Sequence, residues 1–143
     1  MSLVEWNEEI KVDVPLFDEQ HKRLVALLNE LHGHMRAGKG REVIGKTLDE
    51  LLAYTDYHFS AERRAFEAHD YPHCAHHLAE HQKLMDTARE LKARHDAGNL
   101  AITAEVLDFL KKWVTEHIKK CDKLYTEFFR NRPVQDAVAP AGE

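Results

Sequence analysis

The chain has 143 residues, enough for one buried core and too few for two comfortable ones. Hydrophobic residues make up 43%, so the composition is that of a folded protein, and a net charge of −5 with 20 dispersed basic residues excludes a concentrated phosphate-binding face and thus nucleic acid as the main partner. No apolar run approaches the roughly 20 residues that cross a bilayer, and the charged stretch Met1 to Pro15 has no apolar leader, so the expectation is a cytoplasmic chain without membrane insertion.

The expected elements, in chain order, begin with an extended N-terminal arm over residues 1–17. It carries Val4, Trp6, Ile10 and Val12, with Trp6 packing the arm onto the rest. Asp18 is the expected N-cap of a first helix whose apolar stripe runs His21, Leu24, Leu28, Leu31, Met35 and stops at Gly38-Lys39-Gly40. A second stripe runs Ile44, Leu48, Leu51, Thr55, His58, Glu62, Phe66 and breaks at His69-Asp70-Tyr71-Pro72, because Pro72 disfavours helix at the residue before it. A third runs His77, His81, Leu84, Ala88, Leu91 and ends at Ala97-Gly98-Asn99. Thr103 is the expected N-cap of the fourth, with Leu107, Leu110, Val114, His117 and Cys121 in line.

Helices of this length joined by short turns fold back on one another, so the expected fold is all-α, an antiparallel up-down-up-down four-helix bundle. Residues 1–132 form one domain on this reading, and 133–143, poor in packing groups, form a disordered tail. Cys74 and Cys121 do not make a disulfide framework and read as buried small hydrophobes.

The chain is rich in histidine, with 11 of them, and histidine is the commonest metal ligand. His58 and Glu62 are four apart, as are His77 and His81, so each pair leaves one helix face a turn apart. His21 lies on the core stripe of the first helix and His117 on that of the fourth, with Asp122 five residues further on. Seven polar groups therefore point at one axis. Burying them without partners would cost about 1 to 3 kcal/mol each, and metal ions would satisfy them together.

Imidazole and carboxylate donors without thiolate suit first-row transition metals. Seven donors exceed the needs of one four-coordinate zinc and fit two ions bridged by carboxylates, each of which offers two oxygens. Five steps along an ideal helix rotate by about 140°, so bringing Asp122 to the side of His117 predicts a π-type irregularity near residues 119–122. His32, His34, His69, His73, His76 and His95 fall off the stripes or in turns and are expected at the surface or in supporting positions around the site, His76 being the first candidate for an exception.

His21, His58-Phe59-Ser60-Ala61-Glu62, His77-Leu78-Ala79-Glu80-His81 and His117-Ile118-Lys119-Lys120-Cys121-Asp122, in that order on consecutive helices, resemble the hemerythrin family and above all its bacterial single-domain members. The resemblance spans about residues 1–130. It implies two iron ions in a centre with a bridging oxo or hydroxo group. His77, His81 and His117 would hold one iron, His21 and His58 the other, and Glu62 and Asp122 would bridge them. It also implies reversible binding of dioxygen at the two-histidine iron, as a carrier or store and not an enzyme.

By family position Leu24, Phe59, Val114 and Ile118 would line the dioxygen pocket, with Trp113 and Tyr125 nearby; Val114 stands where leucine is frequent, which implies a wider route to the iron. The implied partners are dioxygen and, from the bacterial members, an oxygen-consuming membrane enzyme; a monomer is the expected state. Oxygen or redox sensing, or iron or nitric oxide handling, would use the same site. A di-iron oxidase is disfavoured, because the chain has no Glu-x-x-His and its donor set is poor in carboxylate.

Overall fold

The computed structural model describes residues 4–98, 104–120, 122–132 and 134. Four long helices carry the chain: α1 (Pro15–Arg36), α2 (Arg41–Ala68), α3 (Cys74–Asp96) and α4 (Ala104–Lys120), followed by a 3-10 turn, Asp122–Tyr125, and a short α5 (Thr126–Phe129). α1 packs on α2, α2 on α3 and α1 on α4, giving an all-α four-helix bundle without strands among the described residues. None of the described helices is long and apolar enough to cross a membrane.

The apolar stripes explain the packing. Leu27, Leu28 and Leu31 of α1, Leu48 and Leu51 of α2, and Leu110 and Ile118 of α4 are almost wholly buried. α3 differs: its buried residues are His77, His81, Met85, Ala88 and His95, so polar groups make up most of its inward face. The position of α3 is therefore tied to how those imidazoles are satisfied.

Helix ends follow local chemistry. α1 closes with Gly38 in the left-handed region (φ 70°), where the amide of Gly38 donates to Met35 and that of Lys39 to His34, the paired bonds of a Schellman motif. α2 ends the same way on a non-glycine residue: Asp70 has φ 54°, and Tyr71 N–H donates to the Phe66 carbonyl. Aspartate tolerates this conformation better than most residues.

The start of α1 corrects the sequence reading. The helix begins at Pro15, a residue favoured at the first helical position because it has no N–H to satisfy, and Val14 precedes it without a side-chain cap. Asp18 lies inside the helix and turns back, accepting from the amides of Val12 (2.8 Å) and Asp13 (3.1 Å). The arm is thereby pinned at its base. At its far end Asn29 exchanges two hydrogen bonds with the backbone of Val4 (2.9 and 2.8 Å), and Thr126 donates to the Val12 carbonyl at 2.7 Å. The arm is not extended throughout, since Glu8–Ile10 form a 3-10 turn. Trp6 is half-buried against the core, with the Lys22 ammonium 5.6 Å from its ring centre. Asp18→Ala removes the acceptor of two amides at once, and we expect a loss of about 1–3 kcal/mol in urea unfolding; an unchanged midpoint would mean that the arm contributes nothing to stability.

Three further expectations change or lie outside the described residues. Cys74, the first residue of α3, is only half-buried, because a helix start at the bundle end leaves one side open. Thr103, Cys121 and all of the tail except Val134 lie outside the described residues, with Pro133 among them. His95 is buried (4% exposed) rather than at the surface. It sits against Gly45 of α2, where a Cβ would come within 3.3 Å of its Nε2, so the glycine makes room for the ring.

Candidate metal centre

Each helix delivers its polar groups at the same depth. His21 comes from α1, His58 and Glu62 from α2, His77 and His81 from α3, His117 from α4, and Asp122 from the 3-10 turn that follows it. Glu62 and Asp122 are fully buried (0% exposed), and none of the five imidazoles exceeds 8%. The irregularity expected near residues 119–122 is of the tight kind, not the wide kind. α4 ends at Lys120 and a 3-10 turn starts at Asp122. A 3-10 turn winds more tightly, at about 3.0 residues per turn, so it also shifts the angular position of the side chains that follow α4.

The two carboxylates divide the imidazoles into two clusters. Glu62 Oε1 faces His81 Nε2 at 3.0 Å and His77 Nε2 at 3.7 Å, while Asp122 Oδ1 lies 2.8 Å from His77 Nε2 and 3.0 Å from His117 Nε2. The other oxygens face the opposite way. Glu62 Oε2 is 3.1 Å from His58 Nε2 and 3.7 Å from His21 Nε2, and Asp122 Oδ2 is 3.0 Å from His21 Nε2. One cluster thus holds His77, His81 and His117, the other His21 and His58, and both carboxylates belong to both. All five histidines present Nε2 inward. The ligand atoms of each cluster lie within 4.8 Å of one another.

Electrostatics agrees with a centre built for cations. Burial alone would pull the His21 and His77 pKa values down, but the Asp122 and Glu62 carboxylates that face them push both up to about 9. Burial alone would raise Glu62 and Asp122; the surrounding imidazoles instead hold both carboxyls well below the usual range. His58 and His81 go down, chiefly through burial. The hydrogen-bond ledger is left open: Nε2 of His21, His58 and His81, Oε1 of Glu62 and Oδ2 of Asp122 are buried without a hydrogen-bond partner. Five inward-facing polar atoms without hydrogen-bond partners are costly in a protein interior. Two metal ions, one per cluster, would satisfy all of them, so the residues fit the group.

Two contacts that the sequence does not assign, one from Gln20 and one from Tyr125, support the centre. Gln20 Oε1 lies 2.5 Å from His58 Nδ1, and the Tyr125 hydroxyl donates to Glu62 Oε2 at 2.6 Å. Tyr125 was placed beside the pocket by resemblance; its observed contact is with the carboxylate. A signal for Gln20 existed, since it precedes His21 and faces inward on the helical wheel, but nothing in the spacing names its partner.

A cavity of about 20 Å³ adjoins the two-histidine cluster. Leu24, Phe59, Val114 and Ile118 all line it, together with His21, His58, Thr55, Leu84, Trp113, Asp122 and, from the three-histidine cluster, His117. It has room for about one water-sized molecule. Phe59 also stacks on His81, ring centres 3.7 Å apart and planes at 5°, which fixes both the wall and the imidazole. Of the remaining histidines, none joins either cluster among the described residues; His73 and His76 are exposed.

Comparison with known proteins adds independent findings. A family model, the hemerythrin HHE cation binding domain, matches residues 12–128. The bacteriohemerythrin of Methylococcus capsulatus is 35% identical over 126 residues, 87% of this chain and 95% of that protein. The bacteriohemerythrin of Stenotrophomonas maltophilia is 31% identical over 127 residues, covering 89% of this chain and 82% of that protein. Among solved structures, that of wild-type hemerythrin is similar with a TM-score of 0.81 at 34% identity, covering 88% of this chain and 97% of the other.

Proposed function

The chain belongs to the hemerythrin family, and from that premise we propose that it binds dioxygen reversibly, as a carrier or store, at a pair of non-haem iron ions. His77, His81 and His117 would hold one ion and His21 and His58 the other, with Glu62 and Asp122 shared between them and a bridging oxo or hydroxo group completing the pair. When bound, the ferrous pair supplies the electrons and the vacant coordination position that reversible dioxygen binding needs.

The observation that carries this reading is the asymmetry of the two clusters. Three imidazoles surround one side of the carboxylates and two the other, and the cavity is lined by both imidazoles of the side with two and by only His117 of the side with three. A ligand position left open beside a void is the arrangement of a binding site, as distinct from a closed structural one. The chain's own side chains then do the rest. Leu24, Phe59, Val114 and Ile118 form an apolar wall that keeps water and proton donors out of the cavity, which favours release of the ligand unchanged. Thr55 lines the same cavity, but its hydroxyl donates to the Leu51 carbonyl at 2.7 Å and is thereby occupied. Tyr125 keeps its proton, with burial first among the causes that push its pKa well up, so it serves Glu62 as a donor.

The test is optical. Iron-loaded, reduced protein under anaerobic conditions is expected to be nearly colourless, to gain a visible charge-transfer band in air, and to lose it when the gas is removed. A band that forms once and does not reverse would favour redox chemistry over carriage. The same reading takes the chain as a cytoplasmic monomer that passes dioxygen to an oxygen-consuming membrane enzyme; failure of any such enzyme to co-purify with tagged protein would count against that recipient.

A further inference from the structure

Gln20 and His21 are neighbours on α1, yet they serve different imidazoles. His21 places its own Nε2 in the two-histidine cluster, whereas Gln20 reaches across the α1–α2 contact to His58, the other imidazole of that cluster. Both members of the contact are buried, Gln20 at 3% and His58 at 1% exposure, so water does not compete for it.

A carbonyl oxygen only accepts, so His58 Nδ1 must carry the proton. In the neutral ring, Nε2 then holds a lone pair. That lone pair lies 3.1 Å from Glu62 Oε2 and makes no hydrogen bond to it, which is acceptor facing acceptor. Such a pair is tolerable only with a cation between the two atoms. The Nδ1 atoms of His21 and His81, by contrast, have no hydrogen-bond partner. His58 thus has its tautomer set by an amide that is itself part of the α1 core face.

We propose that Gln20 is the positioning residue of the two-histidine metal position: it locks His58 in the Nδ1–H tautomer, so that Nε2 is free to bind metal before metal arrives. The inference rests on the metal-pair reading above. Without Gln20, the ring gains the alternative of carrying its proton on Nε2 and donating it to Glu62 Oε2. That internal hydrogen bond would satisfy both groups and would have to be broken for metal to enter. The acceptor is also uncharged, so it orients the ring without making it more basic, as a carboxylate in the same place would.

The experiment compares wild type, Gln20→Leu and Gln20→Glu. In the metal-free protein, the nitrogen-15 shifts of His58 report which ring nitrogen holds the proton; Nδ1 is expected in wild type and Gln20→Glu, and a move toward Nε2 in Gln20→Leu. Anaerobic cobalt(II) titration then reads the two metal positions separately. Gln20→Leu is expected to weaken one position by about 10- to 100-fold and leave the other unchanged, with Gln20→Glu restoring the affinity. Should Gln20→Leu not fold, Gln20→Asn, too short to reach the ring, carries the same expectation. Unchanged tautomer and unchanged constants would overturn the proposal, and so would equal weakening of both positions, the mark of a merely structural role. Wild type that takes up fewer than two cobalt ions would instead overturn the metal-pair reading itself.

Discussion

Glu62→Ala is expected to reduce the metal content from two ions per chain to one or none. The two oxygens of this side chain face different clusters, Oε1 toward His77 and His81 and Oε2 toward His21 and His58, so on the proposed assignment its removal would strip a ligand from both positions at once. Outer partners of metal ligands typically cost 10- to 100-fold in affinity, and loss of a shared ligand should exceed about 100-fold. The Tyr125 hydroxyl would also lose its acceptor in a fully buried place. Elemental analysis after reconstitution with ferrous salt, beside a circular dichroism check of the fold, reads the result. A folded variant that still holds two irons would show that the carboxylate does not bridge.

Asp122→Ala gives the comparison. Asp122 meets His77 and His117 through one oxygen and His21 through the other, so both clusters should suffer again. The two carboxylates differ in their mounting. Glu62 stands within α2, one turn from His58, whereas Asp122 lies in a 3-10 turn after α4.

That difference explains what was legible in the sequence. Every group mounted on regular helix could be placed by counting, because side chains three and four residues apart share a face. His58 with Glu62 and His77 with His81 needed nothing more. Asp122 could be assigned through resemblance, but its geometry could not be read from a helical wheel, since a break in the helix changes the angle of all that follows. The direction of that break, tighter instead of wider, depends on packing that no spacing rule contains. Gln20 was illegible for another reason: its role is a contact between helices, with His58 38 positions away. The start of α1 was misjudged because Asp18 has the chemistry of an N-cap and uses it on the preceding arm. His95 was misplaced because its burial depends on a glycine on a different helix.

Loading the centre at neutral pH should expel about two protons from the side chains of each chain, beside the proton that a water loses in becoming a bridging hydroxo group. In the metal-free protein the two buried carboxylates carry two negative charges, and His21 and His77, both raised to about 9, carry the balancing protons. Their unfolded counterparts release protons near 6.5. The folded chain therefore holds more protons than the unfolded chain between those values, so the stability these groups contribute is full below 6.5 and is lost as pH rises toward 9. Glu62 and Asp122 have the opposite sign: their contribution is present above the ordinary carboxyl values of 4.5 and 3.8 and is lost as pH falls below them. Metal needs the same imidazoles deprotonated, so its hold strengthens as pH rises through the window in which the metal-free chain weakens. The gap between the melting temperatures of loaded and metal-free protein should accordingly widen from pH 6 toward pH 9. Calorimetry in buffers of different ionisation heat counts the protons directly. A count at pH 7 no larger than the bridging group's own proton would mean that His21 and His77 are already neutral in the metal-free chain, and the pairing of two protons with two carboxylates would have to be abandoned.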